Sequence, residues 1–183
     1  PDAPGKLVAF ALSEFGGIDI VVNNAGATRR GNFFDLTDDD WNDGFALKMF
    51  GAMRLTRESW PRLKARRGSV VNISGTGGRT PGAEFTIGGS VNAAVLSFTK
   101  AIAEIGVADG VQVNAVNPGM IRTDRLKARL VNLSESDLVR TAKVTRIGEP
   151  EDVANLVAYI VSPEGRFLHG ALIDLDGGAT KTI

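Results

Sequence analysis

Residues 16–26 read Gly-Gly-Ile-Asp-Ile-Val-Val-Asn-Asn-Ala-Gly. Within this stretch, residues 18–22 form a short apolar run between glycines and a pair of asparagines, which is typical of a strand buried on both faces of a parallel sheet. The preceding residues 5–15 carry apolar side chains at helical spacing, and they predict a helix that ends at Gly16. The stretch therefore predicts one helix-strand unit of an α/β fold.

The same unit recurs along the chain. Thr37 precedes three aspartates and is predicted to cap a helix that continues to the basic residues 62–67. Further strands are predicted at residues 69–74, 111–116 and 171–175, and further helices at residues 85–107, 134–145 and 150–161. Gly75 to Gly78 is predicted to be a flexible loop. The alternation predicts one doubly wound, Rossmann-like parallel sheet over residues 1–183.

Composition narrows the range of functions. The chain has 21 basic and 21 acidic residues, which leaves no basic surface for a nucleic acid or an anionic membrane. It has no cysteine and only one histidine, so neither a disulfide framework nor a Cys- or His-based metal site is expected. No apolar run is expected to reach the roughly 20 residues of a membrane span. A cytoplasmic protein acting on a small molecule is the resulting prediction.

Six motifs, in order along nearly the whole chain, resemble the short-chain dehydrogenase/reductase family. They are Asn23-Asn24-Ala25-Gly26, Trp41 in the capped helix, Val71-Asn72-Ile73-Ser74, Asn117-Pro118-Gly119 with Thr123, the segment from Arg146 to Ala154, and Asp174-Leu175-Asp176-Gly177-Gly178.

The resemblance implies a carbonyl or alcohol oxidoreductase that binds NAD or NADP on a Rossmann sheet. It places Asn24, Ala25 and Gly26 along the adenine-side ribose of the cofactor. The residues that it places at the nicotinamide end are Pro118, Gly119, Ile121 and Thr123. Small residues at the carboxyl ends of strands suit this role because they let the backbone approach the ligand.

The sequence departs from the family at its start. No Gly-x-Gly-x-x-Gly spacing occurs before Asn23, although the family begins with a strand, a glycine-rich turn and a second βα unit. These units amount to about 60 residues at roughly 30 residues each. We therefore expect the sequence to be an N-terminally truncated part of the fold, with an open sheet edge at residues 18–22. Cofactor binding is expected only if the missing segment is present.

A second departure concerns the proton-transfer residues. By register with Ser97-Phe98-Thr99-Lys100, the family tyrosine falls on Gly88 and the family lysine on Asn92. The family serine falls on Gly75, and the family asparagine falls on Lys48. All four positions are therefore substituted, and lysine and asparagine have exchanged places.

Two interpretations of this exchange remain open. In the first, Lys48 and Asn92 face one cavity and preserve a polar network, with a hydroxyl supplied by Thr76. Thr76 is favoured over Ser74 because a strand neighbour of Gly75 is expected to point to the opposite face. In the second, Lys48 is a solvated side chain and Asn92 makes only local backbone bonds. The only tyrosine, Tyr159, is predicted to pack in the core.

The function accordingly has two candidates. One is an oxidoreductase with an atypical active site, in which Lys48 or water supplies the proton. The other is an inactive nucleotide-binding or structural subunit. In either case the helices at residues 38–66 and 85–107 resemble the pair that joins family subunits, which predicts a homodimer or homotetramer. The basic residues Arg122, Arg125, Lys127 and Arg129 are predicted to form a solvated loop, with an anionic substrate as the alternative.

Overall fold

The computed structural model describes residues 2–124, 126 and 134–181. Its strands form a parallel sheet in the order β1-β2-β3-β4, with Val21 paired to Val70, Val70 to Val113 and Ala115 to Leu172. The strands are β1 (Ile20–Asn23), β2 (Ser69–Ile73), β3 (Gln112–Pro118) and β4 (Leu172–Leu175). The prediction of a parallel, Rossmann-like sheet is confirmed.

Helices connect successive strands. The α-helices are α1 (Ala3–Phe15), α2 (Asp38–Phe45), α3 (Gly51–Arg66), α4 (Thr86–Asp109), α5 (Glu135–Ala142) and α6 (Pro150–Val161). Thr37 caps α2 through a reciprocal pair of hydrogen bonds with Asp40, as its position before three aspartates predicts. Gly16 ends α1 in the left-handed conformation, with φ of 70°.

Helices cover both faces of the sheet. Val70 of β2 points into a core that includes Leu63 of α3 and Ala103 of α4. The next residue, Val71, points to the opposite face and packs with Ile160 of α6. Because side chains alternate along a strand, two adjacent valines serve two separate cores. This arrangement is the doubly wound fold that the sequence predicts.

Two local expectations were wrong. The helix predicted to run unbroken from residue 38 to the basic end is interrupted by a π-helical segment, Ala46–Phe50. The glycine-rich residues after β2 are not a featureless loop, because Thr76–Gly78 forms a 3-10 turn that is closed by backbone hydrogen bonds. Both irregular segments lie at one end of the sheet and contribute to the site described below.

Some apolar surface is exposed. Ile20 and Val22 of the edge strand β1 are 46% and 41% exposed, as expected for an edge that has no neighbour among the described residues. Tyr159, predicted to be a core residue, is 53% exposed on α6. Tyr159 and the buried Ile160 lie on different sides of α6, because successive residues of a helix point in different directions.

One segment, Ala83–Asp109, is long and apolar enough to span a membrane by length and composition, with a mean hydropathy of 1.4. This corrects the expectation that no run approaches that length. The segment contains α4, whose buried residues Ile87, Val91 and Val95 pack inside the protein. The core helix of a globular protein can meet the same criteria of length and composition as a membrane span. The segment is therefore weak evidence for membrane association.

Candidate active site

A cavity of about 470 Å³ lies where β2 and β3 end. The residues that follow these two strands form part of its lining, together with the loop after β1, the π-helical segment and the start of α4. Ligands of parallel α/β sheets bind at the carboxyl ends of the strands, where the loops diverge. The cavity is therefore the natural ligand site of this fold.

The structure brings Lys48 and Asn92 together in this cavity. The Lys48 ammonium donates a hydrogen bond to Asn92 Oδ1 at 2.6 Å and another to the backbone carbonyl of Ser74 at 2.7 Å. Lys48 lies in the π-helical segment, a type of helix defect that is frequent at functional sites. Of the two interpretations of the exchanged residues, this contact favours the shared polar network over a solvated lysine. The catalytic role of the pair stays a prediction.

Gly26 makes room for the lysine. A Cβ atom on Gly26 would lie 2.8 Å from Lys48 Cδ, closer than two carbon atoms pack. The lysine stem therefore passes directly over the backbone of the motif that follows β1. Asn24 and Ala25 of the same motif are exposed and do not line the cavity.

Ser74 and Thr76 both line the cavity, so the expectation that Ser74 points away from it was wrong. Ser74 continues the alternation of β2, because Val70, Asn72 and Ser74 all face α4, the helix whose Asn92 lines the cavity. The buried Ser74 hydroxyl donates to the backbone carbonyl of Asn92 at 3.0 Å. Between them, Gly75 packs against the Asn92 amide, and a Cβ there would lie 2.9 Å from Asn92 Nδ2.

The space beside Gly88 is filled by Phe85. A Cβ atom on Gly88 would overlap the Phe85 ring, so this aromatic residue occupies the volume of a side chain at position 88. The guanidinium group of Arg30 lies over the same ring, 3.9 Å from its centroid. An arginine stacked on a phenylalanine therefore lies beside Gly88, the position on which the resemblance places the family tyrosine.

The opposite wall is built from residues 118–123. Pro118, Gly119, Ile121 and Thr123, the residues assigned to the nicotinamide end, all line the cavity together with Lys48 and Asn92. Gly119 donates its N–H to the Leu175 carbonyl at 3.0 Å, and a Cβ there would lie 2.8 Å from the Asp176 Cβ. Only glycine fits at this crossing of two chain segments.

A second loop fixes this wall from behind. Arg122 donates its N–H to the Gly148 carbonyl at 2.8 Å, and Gly148 donates to the Met120 carbonyl at 2.9 Å. Arg146 binds both carboxylate oxygens of Asp152 at 2.7 Å. The hydrogen bonds from Arg146 and from the Glu149 N–H lower the pKa of Asp152 to about 2. We call the segment 146–152 the clamp.

The basic stretch is only partly described. Arg125, Lys127 and Arg129 lie outside the described residues. Arg122 is bound by Glu135 at 2.7 Å and by Glu149 at 2.8 Å, and these two carboxylates raise its pKa. Arg122 therefore serves to join α5 to the clamp.

Comparisons with known proteins identify the family. A family model described as enoyl-(acyl carrier protein) reductase matches residues 1–180. Acetoacetyl-CoA reductase of Shinella zoogloeoides is 33% identical over 172 residues, which cover 93% of this chain and 71% of the relative. The chain belongs to the short-chain dehydrogenase/reductase family. The 3-oxoacyl-[acyl-carrier-protein] reductase FabG of Vibrio cholerae is 32% identical over 184 residues, covering 97% of this chain and 73% of the relative.

The fold of this short-chain dehydrogenase/reductase also matches solved structures. L-sorbose reductase of Gluconobacter frateurii, complexed with NADPH and L-sorbose, superposes with a TM-score of 0.91 at 28% identity. The match covers 100% of this chain and 74% of the other.

Sequence reasoning missed Arg30 and Phe85 as site residues. Phe85 precedes Gly88 by three residues, a spacing that places both residues on the same side of a helix. This spacing could have predicted that Phe85 lies beside Gly88. Arg30 had no comparable signal, because its contact with Phe85 spans 55 positions of the chain. Among residues 2–124, 126 and 134–181, no group of three or more His, Cys, Asp or Glu side chains is placed to hold a metal ion.

Proposed function

We propose that this short-chain dehydrogenase/reductase is an NAD(P)-dependent carbonyl reductase in which Lys48, positioned by Asn92, serves the substrate oxygen. The observation that carries the proposal is the 2.6 Å hydrogen bond between these two residues, inside a cavity whose other wall is residues 118–123. The names of the similar proteins support it, since they include an acetoacetyl-CoA reductase and an NADPH-bound sorbose reductase.

The described residues fit the nicotinamide end of such a cofactor. Pro118, Gly119, Ile121 and Thr123 offer small or apolar surface at the cavity wall. The Thr123 N–H donates to the Ile121 carbonyl at 2.8 Å, which holds this turn in shape. When bound, the cofactor supplies a hydride to the carbonyl carbon. Asn24, Ala25 and Gly26 are not among the lining residues of the cavity, and they remain proposed contacts for the adenine-side ribose.

Lys48 has the chemistry needed at the carbonyl oxygen. Its ammonium is a hydrogen-bond donor and a proton source, whereas neither glycine at position 75 or 88 carries a donor side chain. As the carbonyl carbon accepts a hydride, the oxygen gains negative charge, which a nearby cation stabilises. The oxygen then takes a proton from Lys48, and the resulting neutral amine takes up one proton from the bulk solvent, which restores the ammonium.

Asn92 and Thr76 support this chemistry. Asn92 is buried and accepts from Lys48 through Oδ1, which fixes the direction of the lysine side chain. Thr76 lines the same cavity and offers a hydroxyl to the substrate oxygen. In this scheme Asn92 positions Lys48, while Lys48 and Thr76 contact the substrate.

A second candidate is a catalytically inactive, nucleotide-binding subunit. The observation that favours it is that Gly75 and Gly88 offer no side chain to the cavity, with the space at Gly88 closed by Phe85. This candidate keeps the wall at residues 118–123 for the nucleotide and assigns no proton transfer to Lys48.

The test uses the full-length protein in two stages. NADH and NADPH are first titrated by their fluorescence, and the preferred cofactor is then assayed with acetoacetyl-CoA, a 3-oxoacyl thioester and L-sorbose. Cofactor binding with oxidation of NAD(P)H by any carbonyl supports the reductase. Cofactor binding without turnover over a broader carbonyl panel supports the inactive subunit, and no binding of either cofactor contradicts both.

Assembly and location complete the proposal. We expect a homodimer or homotetramer, formed through α3 and α4, in the cytoplasm and without nucleic-acid or membrane partners. Light scattering on the full-length protein tests the assembly, and a monomer would contradict it. Fractionation of the native host tests the location.

A further inference from the structure

Arg30 borders the cavity next to Phe85. Its guanidinium group lies 3.9 Å from the centroid of the Phe85 ring. Next to it, the Gly31 N–H donates to the Glu84 carbonyl at 3.2 Å, so the loop that carries Arg30 is tied to the loop that carries Phe85. An arginine stacked on an aromatic face keeps its N–H groups at the edge of the guanidinium plane, where they can bind a ligand.

The charge of the cavity is one-sided. Of the lining residues that the structure describes, Arg30 and Lys48 carry positive charge and none is Asp or Glu. Apolar side chains, among them Met120, Ile121 and Leu126, form another part of the lining. Cations beside apolar surface favour a ligand that carries an anionic group on a carbon skeleton.

The neighbouring arginine has a different environment. Arg29 binds both carboxylate oxygens of Asp40, at 3.0 and 3.1 Å, and does not line the cavity. Two consecutive arginines therefore have separate roles, since one joins the loop to α2 and the other borders the cavity. This pair provides a matched control for any experiment on Arg30.

We infer that Arg30, stacked on Phe85, binds an oxyanion of the substrate while Lys48 contacts its carbonyl oxygen. The substrate class is an anionic carbonyl compound, carrying either a carboxylate or a phosphoryl group. That the bound anion is a substrate rests on the proposed reductase function, whereas the anion site itself rests on the geometry of Arg30, Phe85 and the cavity.

The test compares three probes that share a 2-oxopropyl group: acetoacetate, 2-oxopropylphosphonate and the neutral methyl acetoacetate. Calorimetry on the full-length protein measures the affinity of each, with and without saturating NADPH. We expect at least one anion to bind about tenfold or more tightly than the neutral ester, as for a charged hydrogen bond. The stronger of the two anions identifies carboxylate or phosphoryl as the preferred group.

The variants locate the effect. Arg30→Met should abolish the preference for the anion, Arg30→Lys should retain part of it, and Arg29→Met should leave it unchanged. Phe85→Leu should weaken it, because the guanidinium loses its aromatic support. Thermal unfolding of each variant verifies that it is folded. If Arg30→Met does not fold, the anion preference of Arg30→Lys is compared with that of the parent protein instead.

Two outcomes would overturn the inference. One is equal affinity for the anions and the ester, including no detectable binding of any probe at millimolar concentration. The other is an anion preference that survives Arg30→Met. The outcome for the reductase function is separate, because NADPH binding and turnover are measured independently. Anion binding without NADPH binding would leave the anion site intact and contradict the reductase.

Discussion

The two walls of the cavity differ in how they relate to the family. The wall at residues 118–123 keeps the family motif, and the clamp supports it through the Arg146–Asp152 pair. In the facing wall Lys48 contacts Asn92, and positions 75 and 88 are glycines that carry no side chain. The first wall therefore follows the family's sequence motif, whereas the proton transfer that we propose for the second depends on Lys48.

The largest expected effect concerns the packing beside Gly88. Gly88→Tyr introduces a phenol, and its Cβ would overlap the Phe85 ring. We expect the free energy of unfolding to fall by about 1–3 kcal/mol, as for an overpacked core. Urea denaturation of the full-length protein measures this loss.

Two further variants serve as controls for this prediction. Gly51→Ala also adds a Cβ to a helical glycine, but its nearest neighbour, the Ala46 carbonyl oxygen, is 3.8 Å away. It should leave stability unchanged or raise it by up to about 1 kcal/mol. Adding Phe85→Ala to Gly88→Tyr should recover part of the loss. No difference between Gly88→Tyr and Gly51→Ala would contradict the packing assigned to Phe85.

A smaller effect tests the helix that leads into Lys48. Thr37→Ala removes the side-chain cap of α2, in which the Thr37 hydroxyl accepts from the Asp40 N–H at 3.3 Å. Loss of an N-cap should lower the free energy of unfolding by about 1 kcal/mol. Thr37→Ser keeps the hydroxyl and should retain most of the stability, and a loss as large as that of Thr37→Ala would argue against the cap.

The smallest expected effect concerns the clamp behind residues 118–123, because solvent screens the ion pair between Arg146 and Asp152. The pKa of Asp152, held near 2 by Arg146 and the Glu149 N–H, is below its ordinary value of 3.8. The resulting stability is present above about pH 4 and is lost as the pH falls through about 2.

Asp152→Asn should therefore be less stable than the parent protein at neutral pH. The difference should shrink as the pH falls from about 4 to about 2, as measured by urea midpoints across this range. Glu151→Gln, which removes the neighbouring exposed carboxylate, serves as the control and should show a smaller change. A difference between Asp152→Asn and the parent that does not depend on pH would contradict the assigned ion pair.

The sequence predicts the sheet and the helix ends well because these features depend on local patterns. The buried strand at Val70 and Val71 and the cap at Thr37 are examples. The π-helical segment at Lys48 has no local signal, since nothing within Ala46–Phe50 breaks an α-helix. The stack of Arg30 on Phe85 depends on tertiary packing. The contact of Lys48 with Asn92 was inferred from the family register, and only the structure supplies its distance.

The central claim is that Lys48 serves the carbonyl oxygen during reduction. The most direct measurement is the kcat of Lys48→Met with a carbonyl substrate at saturating cofactor, beside the cofactor dissociation constant and the thermal midpoint. Lys64→Met is the matched control, because Lys64 pairs with Asp109 far from the site. The account predicts that Lys48→Met lowers kcat by about 10²–10⁴-fold while cofactor affinity is retained. An unchanged kcat in a folded, cofactor-binding variant would contradict it.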